Sequence, residues 1–275
     1  MKRWLVTGVG SGLGAALAKA ALARGDTVAG TFRHAQQITP FEAQAPDRAF
    51  GFQLDLLDEA RIGEVAAAAE EETGGVDVLV NNAGYGLVGA IEEAEATEIA
   101  DQFAVNVFAP LAIIRAVLPG MRARRAGHVV NITSVSGLAT WAGTGIYCAS
   151  KWAFQALGEC LAAEVAELGI RVTNIAPGGM RTDYAGRSLV HAHRCIPDYD
   201  GAARQARRLL AQHAGHEAGD PDKVAQAILK VVDAEKPPLN LLLGADALHY
   251  AEARIEQLQA EIAAWREVSL STGFG

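Results

Sequence analysis

The sequence predicts a doubly wound α/β fold, a seven-stranded parallel sheet with helices on both faces. Short apolar runs alternate with longer Ala/Leu-rich stretches of helical period along almost the whole chain. That alternation is the signature of parallel strands joined by right-handed helical crossovers. Runs such as Val76 to Val80 are apolar at successive positions, as strands covered on both faces must be. No linker, low-complexity tract or repeat divides the 275 residues, half of which are apolar. One domain over residues 1–275 with a large core is therefore expected.

The elements follow in order. Residues 4–7 read as a buried strand, the glycine-rich stretch 8–14 as a turn, and the next residues to about Arg24 as a helix. Strands two and three are expected at 27–31 and 49–53, a helix at 58–72, and strand four at 76–80. Thr97 is the expected N-cap of a long helix running towards Leu118, with Pro119-Gly120 near its end. Strand five is placed at 128–133, a helix at 145–168 closed by Gly169, strand six at 170–175 and strand seven at 239–243.

Two segments break this rhythm. Residues 178–220 are loop-like, with a helix near 202–212, and carry His191, His193, Arg194 and Tyr199. A long excursion after the C-terminal end of a strand is expected to be a substrate lid. The tail at 245–268 repeats Leu248, Ile255, Leu258, Ile262 and Trp265 at helical spacing, which predicts an extra packing or dimer helix.

Composition excludes several classes. A net charge of −8 argues against a nucleic-acid scaffold or an anionic membrane surface. With no apolar run of eighteen residues, no transmembrane helix is expected. Lys2-Arg3 before an apolar stretch resembles a secretory signal, but Gly8, Gly10, Gly12 and Gly14 interrupt it, so it is read as the first strand and turn. Cys148, Cys160 and Cys195 show neither metal spacing nor a disulfide framework, which points to a reducing cytoplasm. His191 and His193 have no carboxylate at ligand spacing in the sequence, so no metal is assigned.

The chemistry is concentrated in three residues. Tyr147 and Lys151 lie four apart on an expected helix and hence on one face, and Ser134 lies thirteen residues before the tyrosine. An ammonium beside a phenol favours the phenolate and lowers its pKa from about 10. A serine hydroxyl beside them can hold a carbonyl or alcohol oxygen. This is machinery for moving a proton on or off a C–O group, with the hydride supplied by another reagent. Strand, glycine turn and helix at the N-terminus form a site for the phosphates of a dinucleotide, because glycines admit the phosphate and the helix end offers free N–H groups.

Together these features resemble the short-chain dehydrogenase/reductase family, single-domain branch, with a Rossmann-type fold. Thr7-Gly8-x-x-x-Gly12-Leu13-Gly14 is similar to the family's coenzyme loop. Asn81-Asn82-Ala83-Gly84 resembles its Asn-Asn-Ala-Gly, Asn106 falls at its active-site asparagine, and Pro177-Gly178-x-x-x-Thr182 resembles the segment that closes over the nicotinamide. The resemblance implies that Tyr147 is the proton donor or acceptor, that Lys151 lowers its pKa and bonds the nicotinamide ribose, and that Ser134 polarises the substrate oxygen. It also implies that Asn106 positions a relay water and that Asp55-Leu56 flank the adenine. Homodimers or homotetramers are the family's usual assemblies.

The end of strand two, Ala29-Gly30-Thr31-Phe32-Arg33-His34, has no carboxylate to accept the ribose hydroxyls of NAD(H); the first acid is Glu42. Arg33 offers a planar cation for a 2′-phosphate. NADP(H) is therefore expected in preference to NAD(H), acting with a small-molecule carbonyl or alcohol substrate. The competing expectation is an NADP(H)-binding redox sensor without turnover. Trp141, Tyr184 and the apolar loop 135–141 suggest a substrate with hydrophobic surface.

Overall fold

A computed structural model of the chain describes residues 1–182 and 188–274. Seven strands form one all-parallel sheet: β1 (Arg3–Val6), β2 (Thr27–Phe32), β3 (Ala49–Gln53), β4 (Val78–Asn81), β6 (Gly127–Ile132), β7 (Ile170–Pro177) and β9 (Asn240–Leu243). Their spatial order is β3-β2-β1-β4-β6-β7-β9, so the winding reverses between β1 and β4. In open α/β sheets a crevice for ligands opens at that reversal, at the carboxyl ends of the strands.

Two apolar layers cover the sheet. On one face α1 (Gly12–Ala23) and α8 (Pro221–Asp233) bury Leu13, Leu17, Ala21, Ile228 and Val232 against Trp4, Val6 and Val28. On the other, α3 (Glu59–Thr73), α5 (Ala109–Arg124) and α6 (Gly145–Val165) bury Ile62, Val65, Ile113, Val117, Met121 and Leu161 against Leu5, Leu79 and Val129. The short α2 (Ile38–Glu42) packs Phe41 edge-on to Phe32, with ring centroids 5.2 Å apart.

The sequence places these elements well, and the differences have local causes. The helix expected to start at Thr97 is α4 (Ala96–Phe103), capped by Glu95 instead. Glu95 and Glu98 form a capping box that satisfies two helix N–H groups reciprocally. The helix also runs past Pro119 to Arg124, because Met121 is fully buried and Arg124 donates to the Val76 carbonyl at 2.6 Å. By length and composition alone the combined helix Ala96–Arg124 is apolar enough to cross a membrane. Here Ile113, Val117 and Met121 are instead core residues against the sheet.

A second sheet was not expected. β5 (Gly86–Val88) pairs in parallel with β8 (Leu189–His191) from the segment after β7. The 189–204 stretch is latched further to residues 90–98. Buried Glu93 accepts from Ile196 N at 2.7 Å and Ala90 N at 2.9 Å, and pairs with Arg204 at 3.6 Å. Glu98 accepts from His193 N, and the Tyr199 hydroxyl donates to Glu92 at 2.6 Å. α7 (Ala202–His213) follows, where a helix was expected.

Four asparagines lie side by side across the sheet. Asn81, Asn131, Asn174 and Asn240 are register partners on β4, β6, β7 and β9. Their amides pass hydrogen bonds along the row at 3.0, 3.1 and 3.2 Å. Gly158 of α6 leaves room for this row, since a Cβ there would stand 2.1 Å from Asn174 Oδ1. Gly158→Ala is expected to cost about 1–3 kcal/mol by overpacking. A lowered denaturant midpoint with intact far-UV circular dichroism is the expected reading; an unchanged midpoint means that the ladder yields.

Candidate active site

The glycine turn sits at the reversal crevice. Gly8 and Gly12 have φ of +72° and +56°, in the left-handed region that favours glycine. A Cβ on Gly14 would stand 2.2 Å from the Gly8 carbonyl oxygen and 2.6 Å from Asn82 Nδ2. Asn82 laces the turn to the end of β4, its Nδ2 donating to Thr7 O at 2.9 Å and to Gly8 O at 3.2 Å. Thr7 Oγ1 accepts from Asn82 N and Ala83 N at 2.9 and 3.0 Å. At the start of α1, Ser11 makes no side-chain cap bond and the first turn carries no acid. Those helix N–H groups and the cradle cut by the glycines fit a phosphate.

The residues expected to be catalytic lie on three elements. Ser134 lies just beyond β6, buried, with Oγ accepting from Ser136 N at 3.1 Å. The turn behind it packs closely on α6, where a Cβ on Gly137 would stand 3.0 Å from the Lys151 carbonyl oxygen. Tyr147 and Lys151 are in the first two turns of α6, as their spacing predicts. Tyr147 is half-buried, and its ring centroid lies 5.9 Å from Lys151 Nζ. Lys151 is buried, and its Nζ donates to Ile132 O, at the end of β6, at 3.0 Å. Burial pushes the lysine pKa down to about 8, because the charged form loses its hydration.

Asn106 lies in a π-helical turn, Ala104–Phe108, between α4 and α5. Such turns displace one residue from the regular helix and are frequent at functional sites. Its Oδ1 accepts from Tyr85 N at 3.1 Å, and its Nδ2 donates to Tyr85 O at 2.9 Å and Ser150 Oγ at 3.2 Å. Gly84 lies between the asparagine and the lysine: a Cβ there would be 3.0 Å from Asn106 Oδ1 and 3.7 Å from Lys151 Nζ.

The remaining expected positions line the same crevice or its rim. Arg33 is exposed at the end of β2, with Nε 3.7 Å from Asp55 Oδ2. Asp55 also accepts from Leu57 N at 3.1 Å, a turn-forming bond, and the half-buried Leu56 packs against the core. Thr182 lies over the turn, with its Cβ 3.4 Å from the position a Cβ on Gly12 would take. Pro177 ends β7, and the next residues meet Asp246, which sequence reasoning missed. Asp246 belongs to α9 (Ala245–Ala264), and its Oδ2 accepts from Gly179 N at 2.7 Å. Trp141 stacks edge-on against Tyr250 of α9 at 5.1 Å. Tyr184, expected to line the substrate side, lies outside the described residues. Glu95, Glu98 and His193 are clustered, but two carboxylate oxygens are already used by Glu95 N and His193 N.

Fold and site thus define an oxidoreductase-type centre, a dinucleotide crevice beside a buried lysine and a tyrosine. The chain matches the short chain dehydrogenase family over residues 2–191. Oxidoreductase BOA17 of Botryotinia fuckeliana is 36% identical over 272 residues, covering 98% of this chain and 99% of the relative. A short-chain dehydrogenase structure from Streptomyces avermitilis superposes with a TM-score of 0.93 at 42% identity, covering 99% of this chain and 98% of that one. A short-chain dehydrogenase/reductase from Burkholderia phymatum, solved in complex with NAD, gives 0.82 at 26% identity over 94% and 95% of the two chains. The chain belongs to the short-chain dehydrogenase/reductase family of oxidoreductases.

Proposed function

We propose that the protein is an NADP(H)-dependent oxidoreductase that interconverts a carbonyl group and a secondary alcohol, with Tyr147 as the general acid and base. The observation that carries this reading is Lys151 Nζ, buried and fixed on Ile132 O, beside the ring of a half-buried Tyr147. When bound, the nicotinamide supplies or accepts the hydride at the substrate carbon. In the reductive direction Ser134 holds the substrate oxygen, and Tyr147 gives that oxygen its hydroxyl proton. Lys151 stabilises the phenolate left behind. Asn106, stitched to Tyr85 and Ser150, fixes the wall beside Lys151 and positions the water through which the phenolate regains a proton. Thr7, Gly8, Gly12, Leu13, Gly14, Asn82, Ala83 and Gly84 hold the dinucleotide, and Pro177, Gly178 and Thr182 close over its nicotinamide end.

Arg33 supports NADP(H), being exposed at the strand end with no carboxylate of β2 beside it. Its Asp55 partner is also exposed, so this ion pair is weak and exchanges readily for a phosphate. The segment 178–220 acts as the substrate lid, supported by the latches of its residues from 188 onward to residues 86–98. The long helices assemble subunits into homodimers or homotetramers, supported by the exposure of Phe108 and Trp152. The free cysteines are consistent with work in a reducing cytoplasm.

The test is consumption of NADPH and of NADH, followed by absorbance, over a panel of aldehydes and ketones. Turnover with NADPH is expected, and Arg33→Ala is expected to weaken NADP(H) binding by about 10- to 100-fold, the worth of charge-assisted hydrogen bonds of about 1.5–3 kcal/mol. NAD(H) binding stays within a few-fold. Equal weakening for both nucleotides, or a wild-type preference for NADH, removes the NADP(H) assignment. Nucleotide binding without turnover across the panel favours the redox-sensor reading.

A further inference from the structure

The C-terminal helices leave the body of the protein. Ala247 and Ala251 of α9 are buried against it. From Glu252 to Phe274 every residue is exposed except the half-buried Arg254, through the rest of α9 and through α10 (Arg266–Leu270). A single solvated helix of this length is marginal in water. This one also exposes Ile255, Leu258, Ile262 and Trp265, each at 44% or more. A partner is needed to bury them.

The pattern on the overhang says which partner. These four residues recur at spacings of three, four and three, on the overhang that begins where Ala251 is already buried against the body. That is heptad spacing, with β-branched Ile255 and Ile262 at the first core position and Leu258 at the fourth, and Trp265 at the C-cap where α9 ends. Isoleucine at the first with leucine at the fourth favours two-stranded coiled coils. The flanking charges are self-complementary. Across a parallel pair Glu261 would face Arg266 of the partner subunit, from the first turn of α10, and across an antiparallel pair Arg254 of the partner subunit, a residue it already approaches to 4.0 Å within its own helix. A lipid surface fits less well, because Glu252, Glu256, Glu261 and Glu267 outnumber Arg254 and Arg266 on the overhang, whereas membrane-surface helices are typically basic on their polar face.

We propose that α9 pairs with α9 of a second copy of this chain, forming a self-association interface separate from the faces that carry Phe108 and Trp152. The test is sedimentation velocity on the full chain at tens of micromolar, with Phe108 and Trp152 left intact. The double variant Leu258→Glu with Ile262→Glu is expected to halve the assembly mass, while its nucleotide binding and thermal midpoint stay at wild-type values. Glu261→Arg is expected to weaken association, and adding Arg254→Glu and Arg266→Glu is expected to restore it, which a merely structural helix does not do. An unchanged mass in the double variant overturns the proposal. So does a wild-type monomer, or co-flotation of the wild type with phosphatidylcholine or phosphatidylserine vesicles that the double variant loses.

Discussion

Tyr147→Phe is expected to lower turnover by about 10²- to 10⁴-fold, the usual contribution of a positioned general acid. Nucleotide binding should change little. The substitution keeps the aromatic ring, which lies half-buried on α6 with Lys151 Nζ 5.9 Å from its centroid, and removes only the hydroxyl. The ring still fills its place in the crevice wall, so the nucleotide site, built from the glycine turn and Asn82, is left intact. The measurement is NADPH consumption with the best carbonyl substrate of the panel, beside nucleotide affinity from a fluorescence titration. Loss of turnover with affinity within about threefold is the expected pair of results. Retention of wild-type turnover would place the proton donor elsewhere and reduce Tyr147 to a packing residue. A variant that loses both activities has lost its fold, and its thermal midpoint separates that outcome from a chemical one.

What the sequence made legible was local. The glycine turn lies within one strand-turn-helix unit, and Tyr147 and Lys151 lie one helical turn apart, so their relation follows from helix geometry alone. Buried strands announce themselves as apolar runs, and all seven main-sheet strands begin and end within two residues of their expected bounds. What escaped is tertiary choice. Nothing in Gly86-Leu87-Val88 reveals that it pairs with residues a hundred positions away. The asparagine ladder was invisible because each asparagine alone reads as a strand end or a turn residue; only register places them in one row. Asp246 likewise looks like an ordinary acid in the first turn of a helix. Its contact with Gly179 needs the end of β7 and the start of α9 to meet above the sheet. A signal existed for Glu95, since Glu-x-x-Glu before an apolar helix is a variant of the capping box, but Thr97 matched the commoner N-cap preference.

Lys151 is the group through which pH should reach both stability and catalysis. Its folded pKa is pushed down to about 8 by burial, against an unfolded value of about 10.4. Because the folded value is the lower one, the unfolded chain holds a proton that the folded chain has shed between those two pH values. Stability therefore rises with pH across the window from about 8 to 10.4, and below pH 8 the full cost of the buried charge is felt. At 1.36 kcal/mol per pKa unit, that cost is about 3 kcal/mol. Lys151→Met keeps the aliphatic stem and removes the titration. The stability of the wild type minus that of the variant is expected to rise by about 3 kcal/mol between pH 7 and pH 10.5, read from guanidinium unfolding of both proteins across that range. A flat difference would mean that the ammonium is well solvated in the folded state. The same depressed value bears on the proposed mechanism: an ammonium held this near neutrality gains most from a negative neighbour, and in that mechanism a phenolate on Tyr147 would be that neighbour.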